Sequence, residues 1–443
     1  MAPALAAQEV PLTQLSASTN LFEDRFPRRH LSLADCFSRA ERDNREIAVA
    51  YESMAAARAQ ITIAGALPNP VFNSTYGFGP AWEYIAAGNN QQVGWTEELL
   101  VLGKRSKKIS VARAQFVQNG FQLQATKFSV HNRVRRAYCE LTAAFAYAAL
   151  VEEQKLIASR LLTIAGKRYD AGKAPGSEVW QARLGVLQFD TQISQARGRL
   201  VQASVRLAQL LGELPRQQEV ITTDGNSLFA EGGGSTTTPD YRLVVPELGQ
   251  ILPAAFYERN DLRAAIQLAY ADKLQHKLSR TLWLPDPFVG FNFLYSTYKK
   301  NQPLYLNINA PFQPGFQLDI SHETPIFYYY QGQRKQAAAT VLQQVRQCDL
   351  LTSQIALAVV SAYEALLIST DNLRKYKNEL LPAAARVAQL SRRSYELGKS
   401  DLATAMLAQQ QYQQIKSSYF DAVVAYQNVW ADLENAVGVP LNL

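Results

Sequence analysis

Two hydrophobic periods alternate along this chain, and the alternation occurs twice. Over residues 103–170 the apolar positions step by threes and fours: Ile109, Ala112 and Phe116, then Val130, Val134, Tyr138, Leu141 and Phe145. That is the period of an amphipathic helix. The stretch holds no proline and only Gly120 and Gly166 after its first residue, and it is rich in strong helix formers. At 1.5 Å per residue such a helix spans about 100 Å. No compact domain has a core that deep, so the helix is either a coiled coil or a stave of a larger helical cylinder. Shorter helical patterns return over residues 177–211 and 401–437, and Pro382 predicts a kink near Leu381.

The other segments have period two. Phe72, Tyr76 and Phe78 share one parity, opposite Asn73, Thr75 and Gly77. Val289, Phe291, Phe293 and Tyr295 stand opposite Gly290, Asn292 and Ser296, and Phe316, Leu318 and Ile320 opposite Gln317 and Asp319. Strands that turn one face to lipid read this way, and so does a half-buried soluble hairpin. About four such strands cannot close a barrel alone, so the lipid reading requires strands shared between copies. A bilayer-crossing helix is not expected. The uncharged stretch 141–151 is too short for one, and the charge-free stretch 59–82 is broken by Pro68, Pro70 and Pro80.

The alternation reflects a duplication. Leu67-Pro68-Asn69-Pro70 returns as Leu284-Pro285-Asp286-Pro287 at an offset of 217, and Gly103-Lys104-Arg105 as Gly332-Gln333-Arg334 at 229. Ala137-Tyr138 returns as Ala362-Tyr363; Tyr169, Gly172, Lys173, Ala182 and Gly212 return as Tyr395, Gly398, Lys399, Ala408 and Gly438, all at 226. The expected organisation is an N-terminal extension without order (1–31), a first repeat (32–213), a Gly/Ser/Thr-containing connection (214–250), a second repeat (251–439) and a short tail (440–443).

Composition narrows the function classes. With 47% hydrophobic and 19% charged residues the chain is not a disordered one. Its 45 basic against 38 acidic residues are spread along the sequence, which speaks against a nucleic-acid surface. Cys36, Cys139 and Cys348 lack disulfide or zinc spacing and are expected to be buried thiols. His30, His131, His276 and His322 are isolated, and no glycine run precedes a Lys-Ser/Thr helix start. Neither an enzyme nor a cofactor is implied. The start of the chain lacks the basic and apolar regions of a secretory signal.

At this point the sequence resembles the outer-membrane efflux channels of the TolC type, and within them the CzcC-like heavy-metal branch. The residues that carry the resemblance are Ala64-Gly-Ala-Leu-Pro-Asn-Pro70, Leu102-Gly-Lys-Arg-Ser106, Pro325-Ile-Phe-Tyr-Tyr-Tyr-Gln-Gly332 and Ser394-Tyr-Glu-Leu-Gly-Lys399. It implies a mainly α fold with β: long antiparallel helices forming a trimeric α-helical barrel, and four strands per chain in a shared transmembrane β-barrel. It further implies an outer-membrane homotrimer of a Gram-negative-type cell, its helices in the periplasm. A periplasmic adaptor and an inner-membrane pump of the resistance-nodulation-division (RND) type would feed it heavy-metal cations. Drug or small-molecule efflux and type I secretion stay open on the same fold, and a soluble coiled-coil scaffold is a further alternative.

By this resemblance the adaptor docks at two helix-turn-helix tips, Tyr169, Gly172, Lys173 and Pro175 in the first repeat and Tyr395, Gly398 and Lys399 in the second. Gly172 and Gly398 sit where a helix end commonly needs a left-handed residue. Related channels often carry acids six and nine residues beyond the second tip glycine, where this chain has Thr404 and Leu407. An acidic pore constriction would therefore fall to Glu178 and Asp401, which otherwise read as favourable charges in a first helical turn. Lys104, Arg105, Lys107 and Lys108 open a helix against its dipole; they are candidates for contact with lipid head groups, or else a solvated face.

Overall fold

A computed structural model describes residues 28–76, 89–213, 220–222, 247–297 and 315–441. In chain order the elements are β1 (Arg28–His30), α1 (Leu33–Asp43), α2 (Arg45–Gly65), β2 (Val71–Tyr76), β3 (Asn89–Glu98), α3 (Lys104–Asp170), α4 (Gly176–Leu210), β4 (Val220–Thr222), α5 (Leu248–Glu258), α6 (Asn260–Ser279), β5 (Phe288–Thr297), β6 (Gly315–Ser321), α7 (Gln331–Lys375), α8 (Leu381–Glu396) and α9 (Leu402–Val437). The long helical pattern is thus a single helix of 67 residues. The chain divides into two compact units, one of residues 1–50, 123–260 and 352–443, the other of residues 51–122 and 261–351.

In the first unit the duplication is visible as geometry. Each repeat opens with a short helix, a corner and a longer helix, and each return helix ends on the corner of its own repeat. Gly212 (φ +76°) closes α4 so tightly that a Cβ there would lie 2.0 Å from the Asp43 carbonyl oxygen. Gly438 (φ +87°) closes α9 against Arg259, whose Cα would lie 2.9 Å from such a Cβ. Only glycine takes that backbone without strain. At the first corner buried Asn44 donates Nδ2 to the Leu210 carbonyl at 2.7 Å. At the second, Arg259 donates Nη1 to the Ala436 carbonyl at 3.0 Å.

Helix α1 starts on a reciprocal cap. Asp35 N donates to Ser32 Oγ at 3.2 Å and Ser32 N to Asp35 Oδ2 at 3.2 Å, which satisfies two free donors of a helix start. The core takes up the apolar stripe read from the sequence: Val130, Val134, Tyr138 and Leu141 of α3 are buried, as are Leu207 and Leu433. The carboxylate of Glu434, also buried, accepts from the Arg135 guanidinium, from Trp430 Nε1 at 3.1 Å and from Leu441 N at 3.1 Å. A charge removed from water needs such saturation.

Three expectations are corrected in these parts. Arg28–His30 pairs in parallel with Val220–Thr222, so order begins before residue 32 and the 214–250 connection contains a strand. Ahead of Pro382 the helix is irregular where the kink was expected: residues Tyr376–Leu380 form a π turn, and Leu381 N donates to the Tyr376 carbonyl. The one-residue shift of register takes up the donor that proline lacks. Cys36 and Cys139 are buried, Cys348 only partly so.

The second unit contains a four-stranded antiparallel sheet in the order β2-β3-β5-β6. Its register joins Phe72↔Trp95↔Phe291↔Leu318 in one row and Asn73↔Gly94↔Asn292↔Gln317 in the next. One face therefore carries Phe72, Trp95, Val289, Phe291, Phe293, Phe316, Leu318 and Ile320, and the other Asn73, Thr75, Thr96, Asn292, Gln317 and Asp319. The polar face packs closely: a Cβ on Gly94 would lie 2.0 Å from Asn292 Oδ1. Tyr76 and Tyr295 share the apolar parity by backbone register, and Phe78 lies outside the described residues.

The strand-to-helix join carries a buried ion pair. Lys104 Nζ lies 2.9 Å from Asp286 Oδ1, with side chains 5% and 11% exposed. Lys104 also donates to the Leu284 carbonyl at 2.6 Å, and Val101 N donates to Asp286 Oδ1 at 2.9 Å. The aspartate of Leu-Pro-Asp-Pro thus ties the end of β3 to the start of β5.

One helical segment departs from the reading of no bilayer-crossing helix. Within Gln331–Glu396 a window has a mean hydropathy of 1.6 with 22% of it buried, long and apolar enough by composition to cross a membrane. The stretch from 350 to 370 carries a single charge, Glu364, with Ser, Thr and Gln residues scattered among its apolar ones.

Candidate functional site at the two helical tips

Helices α3 and α8 end in the same construction. At the first tip Gly172 (φ +67°) follows the last turn, with Gly172 N donating to the Tyr169 carbonyl at 2.9 Å and Lys173 N to the Arg168 carbonyl at 2.8 Å. At the second, Gly398 (φ +74°) donates to Tyr395 at 2.9 Å and Lys399 N to Ser394 at 2.8 Å. Both are Schellman closures, which satisfy the last carbonyls of a helix. Gly172, Lys173, Pro175, Gly398 and Lys399 are exposed. Each loop is therefore a short rigid turn with a lysine at its apex.

The two tyrosines differ. Tyr169 is 54% exposed, whereas Tyr395 is 0% exposed and sits among Leu161, Ala165, Ala182, Leu402 and Ala405. Tyr395 was expected to take part in docking, but its ring is core and presents no surface to a partner. Its hydroxyl donates to Glu178 Oε2 at 3.3 Å, and Arg168 stands over the ring at 4.7 Å while donating Nη1 to the Tyr395 carbonyl at 3.4 Å. Burial, reinforced by the Glu178 carboxylate, raises the phenol above its ordinary pKa. The two tips are therefore joined to each other through one residue of the second repeat and two of the first.

Of the acidic pair, Glu178 is half-buried and engaged with Tyr395, while Asp401 is exposed and stands at the N-cap of α9. Asp401 Oδ1 accepts the Thr404 hydroxyl, a bond that lowers its pKa. Arg168 and Trp180 were not anticipated. Arg168 corresponds to Ser394 in the second repeat, so comparison of the copies conceals it. Trp180, 68% exposed beneath the Arg183 guanidinium at 5.3 Å, is an unshielded aromatic one turn from the tip.

The basic cluster at the sheet divides. Lys104 is consumed by Asp286 and is unavailable to head groups. Arg105 donates to the Gly65 carbonyl at 2.7 Å and Lys107 to the Leu102 carbonyl at 2.9 Å, and Lys108 is exposed. Among the described residues no group of three His, Cys, Asp or Glu is placed to hold a metal ion.

Residues 36–213 match the family described as outer membrane efflux protein. No curated protein matches the chain by sequence. Among solved structures it is similar to the transmembrane channel CusC (TM-score 0.71, 19% identity, 92% of each chain covered). It is similar too to the outer-membrane channel OprN (0.68, 17%, 92% of this chain and 89% of that one). VceC of Vibrio cholerae, an outer membrane protein, aligns at 0.70 and 14%, over 93% of this chain and 97% of that one. At these identities the likeness shows the fold, which is that of TolC-like channels.

Proposed function

We propose that this chain, which matches the outer membrane efflux protein family over residues 36–213 and has a TolC-like fold, is the passive exit duct of a tripartite efflux system. The observation that carries this reading is the sheet: four strands, apolar on one face and polar on the other, with two open edges. An open four-stranded sheet with Phe72 71% and Phe316 72% exposed is unsatisfied in both water and lipid. Three copies joined edge to edge remove the edges and turn the aromatic face to the bilayer. Val289, Phe291, Phe293 and, by parity, Tyr76 and Tyr295 then meet lipid.

The exposed apolar positions of the helices support the same assembly. Leu357, Ile368, Leu184 and Leu187 are more than half exposed, an apolar surface of the kind that marks association. In the trimer the helices form the periplasmic tunnel, and the tips face an adaptor linked to an RND-type pump. Lys173 and Lys399, lifted on identical rigid turns, are the docking residues together with Tyr169 and Pro175. Asp401, repeated around the axis, is the constricting carboxylate, and Glu178 supports the tip through Tyr395. Arg105, Lys107 and Lys108 approach the head groups. Heavy-metal cations are the cargo, on the strength of the Leu67-Pro-Asn-Pro70 and Leu102-Gly-Lys-Arg-Ser106 motifs.

Charge reversal tests the reading. Lys173→Glu with Lys399→Glu should abolish metal resistance in cells while trimers persist in the outer membrane. Undiminished resistance would remove the lysines from the coupling surface. A deletion strain sensitive to drugs but not to metals would reassign the cargo.

A further inference from the structure

One rung of the sheet gathers three helix ends. Glu98↔Phe288↔Ser321 is the rung at which β3 ends, β5 begins and β6 ends. Helix α3 starts, α6 stops and α7 starts no more than ten residues from it in the chain. The charges on these ends have one sign. Residues 103–110, 273–282 and 331–338 hold nine lysines and arginines and no Asp or Glu. Asp286 matches Lys104, but no ion pair among the described residues uses Lys277, Arg280, Arg334 or Lys335. A cation in a first helical turn opposes the helix dipole, and neither α3 nor α7 has an acid there to offset it. The unfavourable placement occurs in both repeats, which points to an anion outside the chain.

A second observation says what carries that anion. Helix α7 is entered through an apolar loop that stands in the open: Phe327 is 97% exposed and Ile326 65%. The loop is fixed by its own hydrogen bonds. Ile326 N donates to the Thr324 carbonyl at 2.8 Å, Tyr329 N to Gln331 Oε1 at 2.9 Å and Gly332 N to the Tyr328 hydroxyl at 3.1 Å. The same hydroxyl donates to Gln333 Oε1, and a Cβ on Gly332 would lie 2.3 Å from it. Tyr330 takes φ +59°, which is costly for a residue with a Cβ. Tyr328 is thus tied to the helix start while Phe327 is held away from it.

We propose that this corner binds an anionic phospholipid of the inner leaflet, with Ile326 and Phe327 in the acyl region and Arg334 and Lys335 on the head-group phosphate. Lys277 and Arg280, at the neighbouring end of α6, face the same anionic surface. Continuity favours lipid over a protein partner, because Ile326 follows the exposed Ile320 of the apolar sheet face by six residues. A bilayer surface supplies apolar depth and negative charge together. The first repeat has no such wedge: at the offset of 229 Ile326 and Phe327 correspond to Glu97 and Glu98. Each copy therefore holds one site, in its second repeat. The proposal rests on the reading of the sheet as lipid-facing and adds the chemistry of the lipid.

Purified trimers in neutral detergent test it, with phosphatidylglycerol or phosphatidylcholine of equal chain length titrated in and bound lipid counted by native mass spectrometry. The parent should bind phosphatidylglycerol about thirtyfold tighter, the worth of two cations beside a phosphate. Arg334→Gln/Lys335→Gln should lose most of that preference. Phe327→Ser should weaken both lipids alike and keep the preference. Equal binding of the two lipids by the parent, or an undiminished preference in Arg334→Gln/Lys335→Gln, overturns the site and leaves the channel reading standing. Co-sedimentation with peptidoglycan by the parent but not by that variant, without lipid retention, would also overturn it and assign the corner to the cell wall. If the chain yields no membrane-inserted trimers at all, the channel reading fails and the site falls with it.

Discussion

Removing the negative member of the Lys104–Asp286 pair is the sharpest perturbation the sheet unit offers. Asp286 Oδ1 accepts from Lys104 Nζ at 2.9 Å and from Val101 N at 2.9 Å, in a place where both side chains are almost closed to water. In Asp286→Asn an amide oxygen can still serve Val101, but the ammonium loses its counter-charge. Breaking one side of a buried ion pair costs about 3–5 kcal/mol. Lys104 keeps the Leu284 carbonyl at 2.6 Å, which places the cost near the lower end, about a hundredfold in the unfolding equilibrium at 1.4 kcal/mol per decade. Lys104→Gln in the same chain removes the second charge and gives both positions the residue types of their repeat equivalents, Asn69 and Gln333. The double variant should fall within about 1 kcal/mol of the parent, because the cost of burying the charge disappears with it.

Urea unfolding in lipid vesicles, followed by tryptophan fluorescence, measures all four corners of the cycle. A coupling of at least about 2 kcal/mol between positions 104 and 286 is expected, since Lys104→Gln alone also leaves a buried charge unpaired. The defect of the single variant should survive high salt, since a buried pair is little screened. Equal destabilisation of the single and double variants would refute the argument, as would a single variant indistinguishable from the parent.

Tyr395 gives a pH-dependent expectation. Its phenol is raised in the fold, so its contribution is complete below the unfolded pKa near 10 and is lost as pH rises through the folded value; thermal melts should show a drop above pH 10 that Tyr395→Phe lacks. Cys139, buried and pushed up to about 12, should resist thiol reagents at pH 8 until the chain unfolds, while the less buried Cys348 reacts first. Gly212→Ala should destabilise the helical unit by more than the ~1–2 kcal/mol of a left-handed backbone, because its Cβ also meets the Asp43 carbonyl. Gly120→Ala, with open space around it, should stabilise by about 0.5–1 kcal/mol in the same chemical-denaturation assay.

Periodicity made the helices and strands legible, because burial on one face is a local property of sequence. The 67-residue helix, the left-handed Gly172 and Gly398, and the parity of Phe291 and Phe293 all follow from spacing alone. What stayed hidden depends on residues brought together from afar. Lys104 read as a surface charge because its partner lies 182 positions away. Tyr395 and Tyr169 occupy the same place in their repeats, so the repeat made them look alike. Their environments differ because Arg168 and Glu178 belong to only one copy. Pro382 marked the place of the irregularity but not its form, because a π turn leaves no mark in the hydrophobic period.

The same asymmetry occurs at the sheet and at the tips. Inside the chain the second repeat meets the first through charged groups: Asp286 with Lys104, and Tyr395 with Arg168 and Glu178. The residues that would make the equivalent contacts to a neighbouring copy are neutral: Asn69 and Gln333 at the sheet, and Tyr169, Ser394 and Thr404 at the tips. An uncharged seam forms without desolvating ions, so copies can associate and part at low cost, whereas the two repeats of one chain are held by the covalent chain as well as by their contacts. Heating should therefore separate copies before it unfolds the chain. Trimer bands on semi-native gels should disappear at a lower temperature than the helical circular dichroism, and coincident loss of both signals would mean that the two kinds of seam are equally strong.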